Sequence, residues 1–161
     1  RTFQLLTQVA GRAGRGTKPG EAVIQTYRPE HYSIVRAAQQ DYNAFYEEEI
    51  LYREICSYPP AAHMLAVLIT SPIEETGMEL AGKLAELAKK TIAQAKAEAS
   101  VIGPAKASIG KINDVYRFMV YCKSSDEDIL IKIRDLMEQF TAHMESKREI
   151  VQFDFDPMSS Y

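Results

Sequence analysis

The 161-residue sequence predicts an α+β fold, a split βαββαβ antiparallel sheet with two helices on one face. Three observations carry that expectation. From Met64 onward, strand-sized apolar runs alternate with longer amphipathic ones in the order β-α-β-β-α-β. Directly after an Asn113-Asp114 turn signal, Val115, Arg117, Met119 and Tyr121 alternate with Tyr116, Phe118, Val120 and Cys122, the period of a strand. Two long runs place apolar residues three or four apart, the period of a helix face. Four antiparallel strands backed by two helices satisfy this order.

Taken along the chain, Thr2 to Ala10 reads as a short helix with Phe3, Leu5, Leu6 and Val9 apolar. Gly11 to Gly20 is loop, with four glycines and a proline. Glu21 to Tyr27 reads as a strand, stopped by Arg28-Pro29. Glu30 to Cys56 reads as one helix, with Ile34, Ala38, Tyr42 and Phe45 on its apolar side and Glu47-Glu48-Glu49 on a solvated face. Tyr58-Pro59-Pro60 stops that helix and places a junction between Tyr58 and His63.

Beyond the junction, Met64 to Thr70 is a strand with aliphatic residues on both faces. Ile73 to Ala99 is a helix with Leu80, Leu84, Leu87 and Ala88 on its stripe, and Val101 to Ile112 a strand interrupted at Gly103-Pro104 and Gly110. After the alternating strand, Ser125 caps a helix whose first turn holds Asp126, Glu127 and Asp128. Its stripe is Ile129, Ile133, Leu136, Phe140 and Met144. Glu149 to Asp156 closes the series as a strand with Val151, Phe153 and Phe155 on one face. The organisation is therefore residues 1–29, a connecting helix and linker over 30–62, and the βαββαβ domain over 63–161.

Hydrophobic residues make up 46% of the chain, ample for a core, and no apolar run approaches the roughly 18 residues that span a membrane. The start Arg1-Thr2-Phe3, with no apolar leader, reads as a piece of a longer polypeptide. Cys56 and Cys122 lack CxxC spacing, so neither a disulfide framework nor a metal site is expected, and a reducing, cytoplasmic setting fits. His31, His63 and His143 share no ligand spacing. Charge is uneven. Residues 1–28 hold Arg1, Arg12, Arg15, Lys18 and Arg28 against Glu21 alone, a local +4, so the remainder carries −7 of the net −3. A basic leading segment on an acidic body suggests locally placed phosphate contacts.

Chemistry concentrates in Gln8-Val9-Ala10-Gly11-Arg12-Ala13-Gly14-Arg15. Arginine presents a rigid fork of donors matched to phosphate oxygens, and glycine lets backbone approach an anion closely. Two such arginines can bear on the terminal phosphates of a nucleotide, where charge builds during cleavage. The bland alternative is a solvated basic turn after a helix. QVAGRAGR closely resembles the last motif of superfamily 2 helicases, QxxGRxGR. The resemblance implies that Arg15 and Arg12 are catalytic fingers, that Gln8, Gly11 and Gly14 are nucleotide-binding, and that residues 1–29 end a RecA-like motor lobe.

Behind the motif come Phe45, Arg53, Tyr58-Pro59-Pro60, Ile102-Gly103-Pro104, Tyr116-Arg117-Phe118 and Asp154-x-Asp156-Pro157, in that order. This succession resembles the C-terminal portion of the primosomal protein N′ family of bacterial replication-restart helicases, over essentially the whole chain. The resemblance implies an ATP-dependent 3′-to-5′ DNA helicase working on stalled forks with Mg, and a C-terminal domain shaped like a small ribosomal-subunit protein. It also implies as partners forked and single-stranded DNA, the single-stranded-DNA-binding protein and other primosome proteins, with no membrane. The family's ATP-binding loop, acidic box and zinc module are expected outside this fragment. Gly110-Lys111 is a decoy, since Gly103 stands at the wrong spacing and Ile112 follows where Ser or Thr is needed.

For DNA contact in the C-terminal domain the candidates are Lys106, Lys111 and Arg117, around the central hairpin, against a reading of them as ordinary surface charge. Tyr116, Phe118, Tyr121 and Phe153 are candidates for base stacking, against a reading as core. Two other functional classes stay open. One is a freestanding nucleic-acid-binding module of split-βαβ type; the other is a protein-docking domain.

Overall fold

A computed structural model describes residues 1–13, 20–144 and 148–158, and the chain divides into two compact units, Arg1–Ile55 and Cys56–Tyr161.

The first unit holds α1 (Thr2–Ala10), α2 (Tyr32–Gln39) and most of α3 (Tyr42–Cys56). Two expectations are corrected here. Residues 21–27 pair with no strand among the described residues, and Val23 and Tyr27 are exposed. Their β-propensity has no ladder to join, and an unpaired segment gains nothing from that propensity. The single helix expected over 30–56 is broken. Gln40 adopts a left-handed φ of 56°, its N–H reaches Ala37 O, and Asp41 N–H reaches Arg36 O, closing α2 without a glycine. Asp41 Oδ1 then accepts from Ala44 N–H at 3.0 Å and opens α3.

Nor is the acidic run merely solvated. Glu48 accepts from Arg36 Nε at 2.9 Å, while Glu49 accepts from Arg53 Nε at 2.6 Å and from the Tyr32 hydroxyl. Burial pushes the Glu49 carboxyl up, but the hydrogen bonds from Tyr32 and Arg53 outweigh it and leave the group below its ordinary value. Burial and the same bond to Glu49 push the Tyr32 hydroxyl up.

The second unit is the expected βαββαβ arrangement: β1 (His63–Ser71), α4 (Glu74–Ala95), β2 (Ala99–Ile112), β3 (Val115–Ser124), α5 (Glu127–Ala142) and β4 (Ile150–Phe155). The sheet order is β2-β3-β1-β4, every neighbouring pair antiparallel. Leu65, Val67 and Ile69 of β1 stand opposite Cys122, Val120 and Phe118 of β3 and Phe155, Phe153 and Val151 of β4. That face meets Leu80, Leu84 and Ala88 of α4 and Ile129, Leu130, Ile133 and Met137 of α5 in one core. Each fully buried aliphatic side chain there stabilises the fold by about 1.5–3 kcal/mol relative to exposure. A smaller cluster of Ala66, Leu68, Ala107 and Met119 occupies the other face.

Local chemistry explains the joints. Asn113 and Asp114 both take positive φ, 49° and 63°, so the β2–β3 hairpin turns in the twist-matched primed form without glycine. Gly103, at φ 104°, has no room for a Cβ, which would lie 2.6 Å from Met119 O. It marks a bulge in β2, not the expected interruption. Gly77 lets α4 lie against the sheet, since a Cβ there would lie 2.6 Å from the Phe118 ring. The cap of α5 is Asp126, whose side chain accepts from Asp128 N–H, and not Ser125. The buried stripe of α5 also runs through Met137 instead of Phe140, which is exposed.

Candidate functional site

The described part of the Gln-Gly-Arg motif is the end of α1. Gln8 is exposed on the last full turn, and Gly11 closes the helix with right-handed φ and ψ of −67° and −9°, its N–H donating to Thr7 O at 2.9 Å. The backbone at Gly11 is one any residue adopts, and a Cβ there would lie 3.2 Å from Thr7 O, closer than ordinary contact. Arg12 N–H donates to Val9 O and Ala13 N–H to Ala10 O, so the chain keeps winding past the helix end. Gln8 and Arg12, four apart on that winding, share one exposed face. Arg12 has no ion-pair partner among the described residues, which leaves its fork of donors open to an anion. Gly14 and Arg15 lie outside the described residues.

The hairpin cations do not gather on one surface. Lys106 stands opposite Phe118 and Lys111 opposite Tyr116, which puts both on the helix side of β2. Arg117 alternates to the opposite face, where its guanidinium donates to Ile109 O at 3.3 Å. Lys106 is paired to Glu74, and Lys111 to Asp114 at 3.0 Å with its ammonium 4.7 Å from the Tyr116 ring centre. The bond to Glu74 raises the Lys106 pKa, and the bond to Asp114 raises that of Lys111. A phosphate would have to compete with those carboxylates.

The stacking platform is corrected more sharply. Phe118 is completely buried, and Tyr116 and Phe153 pack against the same core, so only Tyr121 lies on the other face. Strand aromatics here fill the space beneath the helices.

Three side chains gain roles that pattern-reading left blank. Lys123 is buried, its Nζ 3.5 Å from the Tyr58 ring centre and donating to Cys56 O at 3.1 Å. Asp156 accepts Met64 N–H at 2.7 Å on one carboxylate oxygen and holds His63 Nδ1 at 3.0 Å on the other. That bond raises the His63 pKa. The Asp-x-Asp-Pro signature was the available signal for this clasp, but nothing in it named His63 as partner. Burial pushes the Cys122 thiol up to about 12, so it packs as an apolar group.

Among the described residues, no group of three or more His, Cys, Asp or Glu could hold a metal ion, and no helix is long and apolar enough to cross a membrane.

The family profile for the primosomal protein N C-terminal domain matches residues 54–158. The chain belongs to this family. Among its relatives is the replication restart protein PriA of Bacillus subtilis, 36% identical over 158 residues, which cover 98% of this chain and 19% of that protein. PriA of Thermotoga maritima is 37% identical over 134 residues, 83% of this chain and 17% of the relative. PriA of Chlamydia muridarum is 33% identical over 159 residues, 99% of this chain and 20% of the relative. The chain thus spans about a fifth of the length of these relatives. The matched profile covers the sheet unit of this primosomal family member, while the similarity to whole relatives extends through the Gly-Arg segment as well.

Proposed function

We propose that this chain is the C-terminal part of an ATP-dependent 3′-to-5′ DNA helicase that binds stalled replication forks and restarts replication by primosome assembly, in the bacterial cytoplasm and with the nucleoid. The observation that carries the reading is the pairing of Gln8 and Arg12 on one exposed helical face, at the head of QVAGRAGR, in a chain whose relatives are named for replication restart. Arg15 reaches the γ-phosphate, where it offsets charge that develops only in the transition state. Arg12 and Gln8 couple the state of the nucleotide to lobe closure, with Gly11 and Gly14 letting backbone approach it. ATP with Mg sits against residues supplied by the rest of the motor, and zinc belongs to a module outside this fragment. With no GxxxxGK sequence, these 161 residues alone are inactive as an ATPase.

The deciding experiment is Arg15→Ala in the full-length protein. DNA-stimulated hydrolysis falls by about 10³–10⁵, the worth of an arginine finger, while affinity for forked DNA is retained. Turnover equal to that of the unaltered protein would remove the finger assignment.

A second reading of the sheet unit is favoured by a specific observation: Lys106 and Lys111 are already paired to carboxylates, and residues 56–161 hold 12 Lys and Arg against 15 Asp and Glu. This unit then serves chiefly to dock proteins, the single-stranded-DNA-binding protein and other primosome components among them, with Lys106, Lys111 and Arg117 adding minor DNA contacts. Titrating the 161-residue chain with forked DNA across a salt series separates the two. Steeply salt-dependent binding supports phosphate contact, and weak, flat binding supports docking.

A further inference from the structure

The helix that delivers the motif packs beside α2, with Leu6, Thr7 and Ala10 half-buried and one side chain fully buried. Phe3 is the only buried residue of α1, at 4% exposure, whereas Leu5 and Val9 are exposed. Its ring stacks on Phe45 of α3 with centroids 4.2 Å apart and planes 12° from parallel, and tilts against Tyr42 at 6.1 Å. Phe45 is backed in turn by Tyr32 of α2 at 6.0 Å. Tyr32 is fixed by its hydroxyl bond to Glu49, which Arg53 also holds. An aromatic stack braced by a polar network therefore ends on the first turn of the motif helix.

Helical geometry gives this anchor its consequence. At 3.6 residues per turn, Gln8 lies about 140° around the axis from Phe3 and Arg12 about 180°. The motif side chains thus project away from the point of attachment. Rotation of α1 about its axis swings Gln8 and Arg12 through an arc, so the seating of Phe3, the one fully buried side chain of the helix, bears directly on where the guanidinium lands.

We infer that Phe3 and Phe45 are positioning residues for the Gly-Arg motif: their stack sets the rotational phase of α1 and thereby aims Gln8 and Arg12 at the nucleotide. The inference rests on the reading of those residues as nucleotide-sensing. A small misplacement of a charge-stabilising group lowers turnover more than ground-state binding, because the interaction matters most in the transition state.

The test uses the full-length protein and steady-state DNA-stimulated ATP hydrolysis, with melting curves recorded for every variant. Phe3→Ala lowers kcat on the order of 10²-fold while KM for ATP stays within about threefold. Phe45→Ala behaves likewise, and Phe45→Tyr, which keeps the stacked ring at a partly exposed position, restores turnover. Should Phe3→Ala fail to fold, Phe3→Leu carries the same comparison, with an expected loss of about tenfold in kcat from a less well-seated helix. Unaltered kcat in Phe3→Leu and Phe45→Ala, beside an inactive Arg15→Ala, would overturn the anchor and leave the helicase reading standing. A change confined to KM, or no rescue by Phe45→Tyr, would also overturn it. Full turnover by Arg15→Ala would overturn both.

Discussion

The two units of this chain reach order by different means. Among the described residues, the main core of the sheet unit gathers fifteen buried side chains from β1, β3 and both helices, one sheet face packed against a helix layer. In the helical unit, Phe3, Ser33 and Ala37 are the buried residues among those described, while Tyr42, Tyr46, Leu51, Tyr52 and Ile55 stand exposed. One unit is held mainly by displaced water; the other by ring stacking and by hydrogen bonds among Tyr32, Arg36, Glu48, Glu49 and Arg53. The unit with the fewer buried residues carries the Gly-Arg motif, and few buried contacts leave a segment free to open locally.

The contrast can be broken at its strongest point first. Phe118→Ala empties the middle of the sheet core and costs about 3–5 kcal/mol, read from urea unfolding of the 161-residue chain. A loss below about 1 kcal/mol would show the core to be far more forgiving than its packing implies. Gly103→Ala comes next, at about 1–3 kcal/mol, from a Cβ at positive φ facing Met119 O. At the other extreme, Leu51→Ala on α3 changes stability by less than about 0.5 kcal/mol. Amide hydrogen exchange sharpens the same contrast without mutation. Amides of β1 and β3 exchange slowest and those of α1 fastest, and equal protection in both would deny the difference.

Two contacts, one in each unit, respond to pH with opposite sign. Glu49 sits below its ordinary value of 4.5 in the folded chain. Its contribution is therefore present above that value and is lost as pH falls through the folded pKa. His63 is shifted the other way, above its ordinary 6.5, so the clasp with Asp156 contributes fully below that value and weakens as pH rises through the folded pKa. Both groups are partly exposed, so the steps are small, within about 1 kcal/mol for the clasp. Melting temperature against pH checks the signs. Glu49→Gln removes the acid-side step, and His63→Asn removes the alkaline-side one.

How far each unit was legible follows from the same physics. The alternation of Val115 to Cys122 is period two against a single buried face, so it names the core side directly, and Phe118, Val120 and Cys122 are there. The division of the hairpin cations between two faces is hidden in the sequence because β2 advances five residues from Lys106 to Lys111 while β3 advances two, from Phe118 to Tyr116. Counting by twos fails across such a bulge. In the helical unit, Gln40 turns left-handed without a glycine to announce it, and Glu21 to Tyr27 reads as strand though no ladder forms. Spacing along the chain does not specify partners from distant segments. Phe3 on Phe45, Lys123 on Tyr58 and His63 on Asp156 became visible only in three dimensions.

Lys123 bears on how the sheet unit should be excised for binding work. Its ammonium has left water for the Tyr58 ring and the Cys56 carbonyl, both upstream of the first strand. A cut at the Tyr-Pro-Pro stretch would take away the ring and the carbonyl that hold this cation, so an excised domain that keeps the contact begins ahead of Cys56.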